Sequence, residues 1–111
     1  MRLRLLPPAA VAGTVALGLL PGLLSAAPNP KNGPKLLTQF GCFGCHKVGD
    51  KGGTAGPDLS HIGKTWKLAD IKKVIINPKA RVPNSTMPSA KDVNMKPAQI
   101  DDVSAYLFTL K

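Results

Sequence analysis

The sequence predicts an all-α domain with three main helices separated by two long loops. Three segments place apolar residues at helical spacing, whereas no segment alternates apolar and polar residues as a half-buried strand does. The stretches between the helices, residues 47–65 and 78–96, are each 19 residues long and rich in glycine or proline. Irregular loops beyond about 12–15 residues are uncommon in a compact domain, so we expect something other than helix packing to organise them.

The first two helices have recognisable start or stop signals. The first follows Asn32-Gly33-Pro34, because proline suits the first turn of a helix, and it leads into Cys42. The second covers about residues 68–77 and stops before Pro78, which disfavours helical backbone at the preceding residue. Their apolar faces are Leu36, Leu37 and Phe40 in the first helix and Trp66, Leu68, Ile71, Val74 and Ile75 in the second.

The third helix is predicted over residues 97–110. Pro97 suits its first turn, and we expect Asp101 and Asp102 to interact with the positive start of the helix. Its apolar side consists of Ile100, Val103, Tyr106, Leu107 and Leu110.

The N-terminal segment has the composition of an export signal. Arg2 and Arg4 precede 23 uncharged residues, 5–27, and the small residues at the end of this run resemble a cleavage site. We predict that residues 1–27 are a signal peptide, in preference to an uncleaved anchor, although the run is long enough to span a bilayer. Residues 28–111 would then form one domain in the periplasm or another extracytoplasmic compartment, with a soluble form favoured over an anchored one.

Cys42-Phe43-Gly44-Cys45-His46 is the most specific motif of the chain. It has the Cys-x-x-Cys-His form in which a c-type haem is attached. On a helical turn, residues three apart lie on one face, so Cys42 and Cys45 can both bond to the edge of one haem. His46 then lies beside them and can present an imidazole nitrogen to the iron. The motif therefore predicts one covalent haem.

Other interpretations of the same residues stay open. A Cys-x-x-Cys pair also occurs as a redox disulfide, but in a strand-helix-strand context that is not found here. Cys42, Cys45, His46 and His61 provide the ligand types of a zinc site, although the usual wide gap between ligand pairs is missing. The two thiols can also be inert and exposed.

The small size of the domain favours a bound apolar cofactor. A domain of 84 residues after residue 27 has a thin apolar core of its own. A haem would supply a large apolar disc around which the side chains and both loops can pack. The aromatic residues available for that packing are Phe40, Phe43, Trp66, Tyr106 and Phe108.

The charge of the domain favours acidic partners. The 15 Lys and Arg residues include Arg2 and Arg4, which leaves 13 against 6 acidic residues, a net charge of +7 from residue 28 onwards. The lysines are scattered and no nucleic-acid-binding motif is present, so nucleic acid is not expected as a partner. We expect redox proteins with acidic docking surfaces, or a membrane-bound oxidase or reductase, and no small-molecule substrate. A cluster around the second helix forms a candidate docking patch: Lys64, Lys67, Lys72, Lys73 and Lys79.

A haem iron held by His46 has a second axial position, for which the chain offers three candidates. Met87 is followed by Pro88, which stiffens the loop where the sulfur would be presented, and a thioether is a ligand that suits haem iron. Met95 lies just before the third helix, where an apolar residue more naturally packs against the fold. His61 lies in the loop that directly follows the motif. These considerations favour Met87.

With these elements in this order, the chain resembles the class I cytochromes c, the small bacterial monohaem type. The resemblance covers nearly all of residues 33–110 and rests on the Cys-x-x-Cys-His motif, Gly56-Pro57-Asp58-Leu59, a middle helix ending in Asn77-Pro78, Met87-Pro88 and a terminal helix containing Tyr106-Leu107. It implies a small cytochrome c fold whose three main helices and long loops wrap round one covalent haem.

The resemblance also implies roles for individual residues. Cys42 and Cys45 would carry the thioether bonds, His46 would be the proximal iron ligand and Met87 the distal one. The Pro57 carbonyl would accept a hydrogen bond from the other ring nitrogen of His46. The first and last helices would cross, with Gly41 at the contact and Phe40 and Tyr106 nearby. Trp66 would either donate its indole N–H to a haem propionate or simply pack at the start of the middle helix.

The predicted function is that of a one-electron carrier with no enzymatic activity. With two axial ligands on the iron, no position remains for a substrate, so electrons would pass by outer-sphere transfer. Two alternatives remain: a haem subunit of a larger periplasmic redox enzyme, and a haem sensor or peroxidase-type protein with a labile sixth ligand.

Overall fold

The computed structural model describes Gly13 and residues 26–111. The predicted signal peptide, residues 1–27, therefore lies almost entirely outside the described residues. Within residues 26–111, no helix is both long and apolar enough to cross a membrane.

Four α-helices and one short hairpin make up the described chain. The helices are α1 (Gly33–Gln39), α2 (Ile62–Thr65), α3 (Leu68–Ile76) and α4 (Pro97–Phe108). The hairpin pairs β1 (Lys47–Val48) antiparallel with β2 (Lys51–Gly52). Three single turns of 3₁₀-helix complete the structure: Pro30–Asn32, Cys42–Gly44 and Pro78–Ala80. The all-α prediction and its three main helices are confirmed, while α2 and the hairpin lie within the first predicted loop.

The helix boundaries follow from local backbone chemistry. The first helix ends where Gly41 adopts a left-handed conformation, with φ of 73°, which glycine reaches without a steric penalty. Helix α3 ends one residue before the expected Asn77, and Pro78 then begins a 3₁₀ turn. Helix α4 has Pro97 in its first turn, and the N–H of Lys96 donates to Gln99 Oε1 over 2.9 Å.

Helix α4 organises the core because it packs against both α1 and α3. The face predicted for α4 is buried as expected at three positions, and Ser104 beside them is also buried, its hydroxyl donating to the Ile100 carbonyl at 2.7 Å. Burial of these side chains is the main stabilising contribution in such a small domain. The buried residues of the apolar core cluster are Leu36, Leu37, Ile71, Ile75, Ala90, Ile100, Val103 and Leu107.

The crossing of α1 and α4 depends on Gly33, and the prediction that Gly41 lies at this contact was wrong. A Cβ added to Gly33 would overlap the Cβ and ring of Tyr106, so only glycine allows the two helices to approach this closely. A Cβ added to Gly41 would have no neighbour within 4 Å. Gly41 is instead required by its positive φ at the end of α1.

The two aspartates of α4 lie beyond its first turn, which contains no acidic residue. Asp102 accepts hydrogen bonds from the Asn32 side-chain amide at 2.9 Å and from the Asn29 N–H at 2.7 Å. These two bonds, that of Asn32 foremost, lower the pKa of the Asp102 carboxyl below its ordinary range. Asp101 pairs with Lys72 of α3 over 2.7 Å. The expected interaction with the helix start was therefore wrong, because these side chains tie α4 to its neighbours.

Replacement of Gly33 by Ala should destabilise the domain, because the new methyl group would collide with Tyr106. Overpacking of this kind costs roughly 1–3 kcal/mol, which corresponds to about 4–8 °C in Tm for each kcal/mol in a domain of this size. Thermal unfolding followed by circular dichroism measures the change. Lys35→Ala, at an exposed position of the same helix, serves as the control and should leave Tm nearly unchanged; equal Tm values for the two variants would contradict the close contact.

Candidate haem site

The Cys-x-x-Cys-His motif forms one tight turn directly after α1. Residues Cys42–Gly44 are a 3₁₀ turn, and the Cys42 carbonyl accepts hydrogen bonds from the N–H groups of Cys45 at 3.3 Å and His46 at 3.0 Å. In a 3₁₀ turn, side chains three residues apart eclipse one another. The turn therefore brings the two cysteines to one side, as the spacing predicts, with His46 following on the next step.

The two thiols lie in different surroundings. Neither forms a disulfide; Cys45 is exposed, whereas Cys42 is half-buried and packs against the core. Burial raises the pKa of the Cys42 thiol, because a buried thiolate loses hydration, although a backbone hydrogen bond partly opposes this shift. Cys42 is therefore the more protected of the two, and both remain available for covalent attachment.

A hydrogen bond to the Pro57 carbonyl orients the His46 ring. His46 Nδ1 lies 2.8 Å from the Pro57 oxygen. A carbonyl oxygen only accepts hydrogen bonds, so Nδ1 must carry the proton and donate it. In the neutral ring, Nε2 then keeps its lone pair, which is the form in which an imidazole binds a metal. The geometry agrees with the contact that the family resemblance implies between these two residues.

A glycine-rich segment, residues 52–56, packs against the backbone of the motif. The N–H of Gly53 donates to the Phe43 carbonyl at 2.8 Å, and that of Gly56 donates to the Cys45 carbonyl at 2.6 Å. A Cβ on Gly56 would lie 2.7 Å from His46 Cε1, closer than side chains approach one another. Sequence analysis assigned no role to these glycines; their clustering just after the motif was the available signal.

The loop that carries Pro57 is held by a small polar network. Asp58 Oδ1 accepts from the Ser60 hydroxyl at 2.6 Å and from the Ser60 N–H at 2.8 Å. The Ser60 hydroxyl oxygen in turn accepts from the N–H of Gly49 at 2.8 Å, which links the loop to the hairpin. The two bonds from Ser60, first its side chain and then its backbone, lower the pKa of Asp58.

The two candidate methionines lie in different environments. Met87 is half-buried within the second long loop, and its N–H donates to the Ser85 hydroxyl at 3.2 Å. Met95 packs against the hydrophobic core, and its N–H donates to the Ala90 carbonyl at 2.8 Å. Met95 also lines a surface groove of about 460 Å³ between the end of α3 and the start of α4, and none of the predicted haem-site residues lines this groove.

Comparison with known proteins identifies the family. Residues 30–111, which include the whole motif and all four helices, match the sequence model of the family described as Cytochrome c. The chain belongs to the cytochrome c family. It is 32% identical to cytochrome c-554 from Methylosinus trichosporium over an alignment that covers 69% of this chain and 73% of that protein. The fold is also similar to a chain of the crystal structure of SoxXA from P. pantotrophus, with a TM-score of 0.71 and 25% identity over 78% of this chain and 85% of that chain.

The donor set fits the cofactor of a cytochrome c. The family binds a covalent c-type haem, and Cys42 and Cys45 fit its attachment motif. The structure supplies two free thiols on one turn and one imidazole whose Nε2 is free to bind a metal. A neutral imidazole is one of the ligand types that haem iron takes in proteins. The predicted cofactor, one covalent haem c, is confirmed by the family, which also establishes electron transfer through haem as the general activity.

The zinc interpretation is not supported by the arrangement of the ligands. Within residues 26–111, no three His, Cys, Asp or Glu side chains converge so that they could hold a metal ion. His61 is exposed, and its Nδ1 lies 3.2 Å from the Lys111 carbonyl oxygen. It is therefore a surface histidine at the start of α2.

Trp66 has a partner that sequence analysis missed. The Arg81 guanidinium carbon lies 3.9 Å from the centroid of the indole ring, within the range of a cation–π contact. Trp66 itself is half-buried and packs against the core just before α3. The sequence does not predict this contact, because Arg81 lies in a proline-rich loop that is distant from Trp66 along the chain.

Replacement of Ser60 by Ala should raise the pKa of Asp58 towards its ordinary value, because the variant loses the hydroxyl donor. A carboxyl whose pKa is lowered by folding stabilises the fold above its unfolded pKa, and this contribution is lost as the pH falls through the folded value. The variant should therefore be less stable than the unmutated protein at neutral pH, with the difference disappearing in acid.

Carboxyl NMR titration measures the change residue by residue. Asp92 provides an internal control, because its pKa is also lowered, in this case by Ser89, and should not respond to the Ser60 substitution. An unchanged Asp58 titration in the variant would contradict the network.

Proposed function

We propose that this cytochrome c carries single electrons by outer-sphere transfer, with His46 as the proximal and Met87 as the distal iron ligand. The observation that carries the proposal is the 2.8 Å hydrogen bond between His46 Nδ1 and the Pro57 carbonyl. It selects the ring tautomer and points the opposite nitrogen away from the loop. An imidazole held in this way, one residue after the attachment cysteines, has the role of a permanent metal ligand.

The environments of the methionines support Met87 as the second ligand. Its side chain lies in a segment that makes no large contribution to the core, whereas Met95 is packed against the core and beside a separate groove. Pro88 restricts the backbone directly after Met87. A thioether ligand favours the reduced iron and so raises the reduction potential.

The bound haem supplies reversible one-electron oxidation and reduction of its iron. The residues of this chain would hold that haem. Cys42 and Cys45 would bind it covalently, His46 and Met87 would both ligate the iron, and Pro57 fixes the orientation of the histidine. With no open coordination position, a substrate has no place to react, so the chain itself acts as a carrier and not as an enzyme.

The charge of the domain supports acidic redox partners. Residues from 28 onwards carry a net charge of +7, and all five lysines of the candidate docking patch are exposed. Such a surface accelerates encounter with an acidic protein and loses this effect as salt rises. The export signal predicted in residues 1–27 fits a partner in the periplasm, such as a membrane-bound oxidase or reductase.

A second candidate function is that of a haem subunit in a larger redox complex. The similarity to a chain of SoxXA supports this alternative, while the similarity to cytochrome c-554 supports the carrier. Purification of the untagged protein from its native periplasm separates them. A carrier elutes as a free monomer, and a subunit co-elutes in fixed ratio with a catalytic chain.

Replacement of Met87 by Ala should lower the reduction potential by on the order of 0.1 V, a fraction of the roughly 0.8 V that axial ligands span in haem proteins. It should also remove the methionine–iron absorption band and let carbon monoxide or cyanide bind, because the sixth position becomes open. A redox titration with optical detection measures the potential and the band together.

Met95→Ala is the matched control, since it removes the same side chain from the next methionine along. It should keep the band and the potential and lose only packing stability. A lost band in the Met95 variant together with an intact band in the Met87 variant would show that the distal ligand is Met95. Strong binding of carbon monoxide by the unmutated protein would instead favour a sensor or peroxidase-type function.

A further inference from the structure

The segment that carries Met87 is weakly attached to the body of the domain. Of residues 82–89, most are exposed, and Val82 has 55% of its surface accessible. Within the described chain, every hydrogen bond of this segment stays between residues 78 and 93. The segment is therefore held in place chiefly at its two ends. Whether it stays packed against the domain depends on the contacts that anchor those ends.

The C-terminal end of the segment is anchored by the core. Ala90 is buried, with 4% of its surface accessible, and its N–H donates to the Ile75 carbonyl at the end of α3 over 2.9 Å. This anchor combines apolar burial with a backbone hydrogen bond, so it is firm.

Two contacts anchor the N-terminal end. Pro78 is buried and its carbonyl accepts a hydrogen bond from the Val82 N–H at 3.1 Å, and a stacked pair of side chains lies beside this turn. Arg81 lies directly after the 3₁₀ turn Pro78–Ala80, and its guanidinium carbon is 3.9 Å from the Trp66 ring centroid. Trp66 is itself fixed by the core. The planar guanidinium of arginine suits such stacking better than the compact ammonium of lysine. The pair therefore connects the loop that carries Met87 to the rigid start of α3.

We propose that Arg81 is a positioning residue: by stacking on Trp66, it holds the Met87 segment closed and so keeps the sixth iron position occupied. This inference rests on the proposed ligation by Met87. An exposed cation–π contact contributes about 0.5–1 kcal/mol, which at about 1.4 kcal/mol per tenfold corresponds to a two- to fivefold change in an equilibrium constant. Loss of the stack should therefore raise the population of the open, methionine-off form by about two- to fivefold.

Imidazole binding to the ferric holoprotein tests the proposal, because imidazole competes with Met87 for the iron and binding removes the methionine–iron band. Arg81→Ala should bind imidazole about two- to fivefold more tightly than the unmutated protein. Arg81→Lys should recover only part of the difference. Lys35→Ala is the control for loss of one positive charge: this exposed lysine of α1 lies outside both the Met87 segment and the docking patch, and the variant should bind imidazole like the unmutated protein.

A double-mutant cycle with Trp66→Leu separates stacking from any other effect of the arginine. If the two side chains act through one another, Arg81→Ala should have little further effect in the Trp66→Leu background. Equal imidazole affinities for Arg81→Ala and Lys35→Ala, or additive effects in the cycle, would overturn the role of the stack. Absence of the methionine–iron band in the unmutated protein would contradict the proposed ligation by Met87. A normal band together with no effect of the Arg81 substitution would overturn only the role of Arg81.

Discussion

The orientation of one imidazole ring constrains much of this structure. The His46 ring is fixed by the Pro57 carbonyl, and Gly56 directly before Pro57 has no side chain that would collide with the ring. Backbone hydrogen bonds from Gly53 and Gly56 then bind the same segment to the motif. Ser60 continues the support to the hairpin. The first long loop is thus ordered by its contacts with the attachment motif.

The second constraint is the small size of the apolar core. The core cluster of the described chain contains only eight buried apolar side chains, seven of them on α1, α3 and α4, and a domain of this length gains limited stability from such a core. A covalently bound haem would add a large apolar surface to this small core. The cofactor of a cytochrome c is therefore expected to stabilise the fold as well as to carry the electron. The loop that contains Met87 is attached to the rest of the domain chiefly at its two ends.

The features that depend on local spacing could be predicted from the sequence. Helical periodicity and proline positions gave the three main helices to within one to three residues, and the Cys-x-x-Cys-His motif gave the cofactor. Contacts between segments that are distant in the sequence could not be predicted from spacing. Spacing does not show that Gly33 contacts Tyr106, whereas Gly41 only ends a helix. It also does not show that Asp102 accepts hydrogen bonds from Asn29 and Asn32. The ligands of the iron remain a prediction, because they depend on where two loops lie round the cofactor.

An absorption spectrum with redox titration of the exported, haem-loaded protein tests the attachment and the closed iron together. We expect haem that stays with the polypeptide after denaturation, a methionine–iron band in the ferric state, and a single reversible one-electron transition. Haem that dissociates on denaturation would contradict attachment through Cys42 and Cys45. A ferric spectrum without the methionine band would contradict the closed, two-ligand iron on which the carrier function rests.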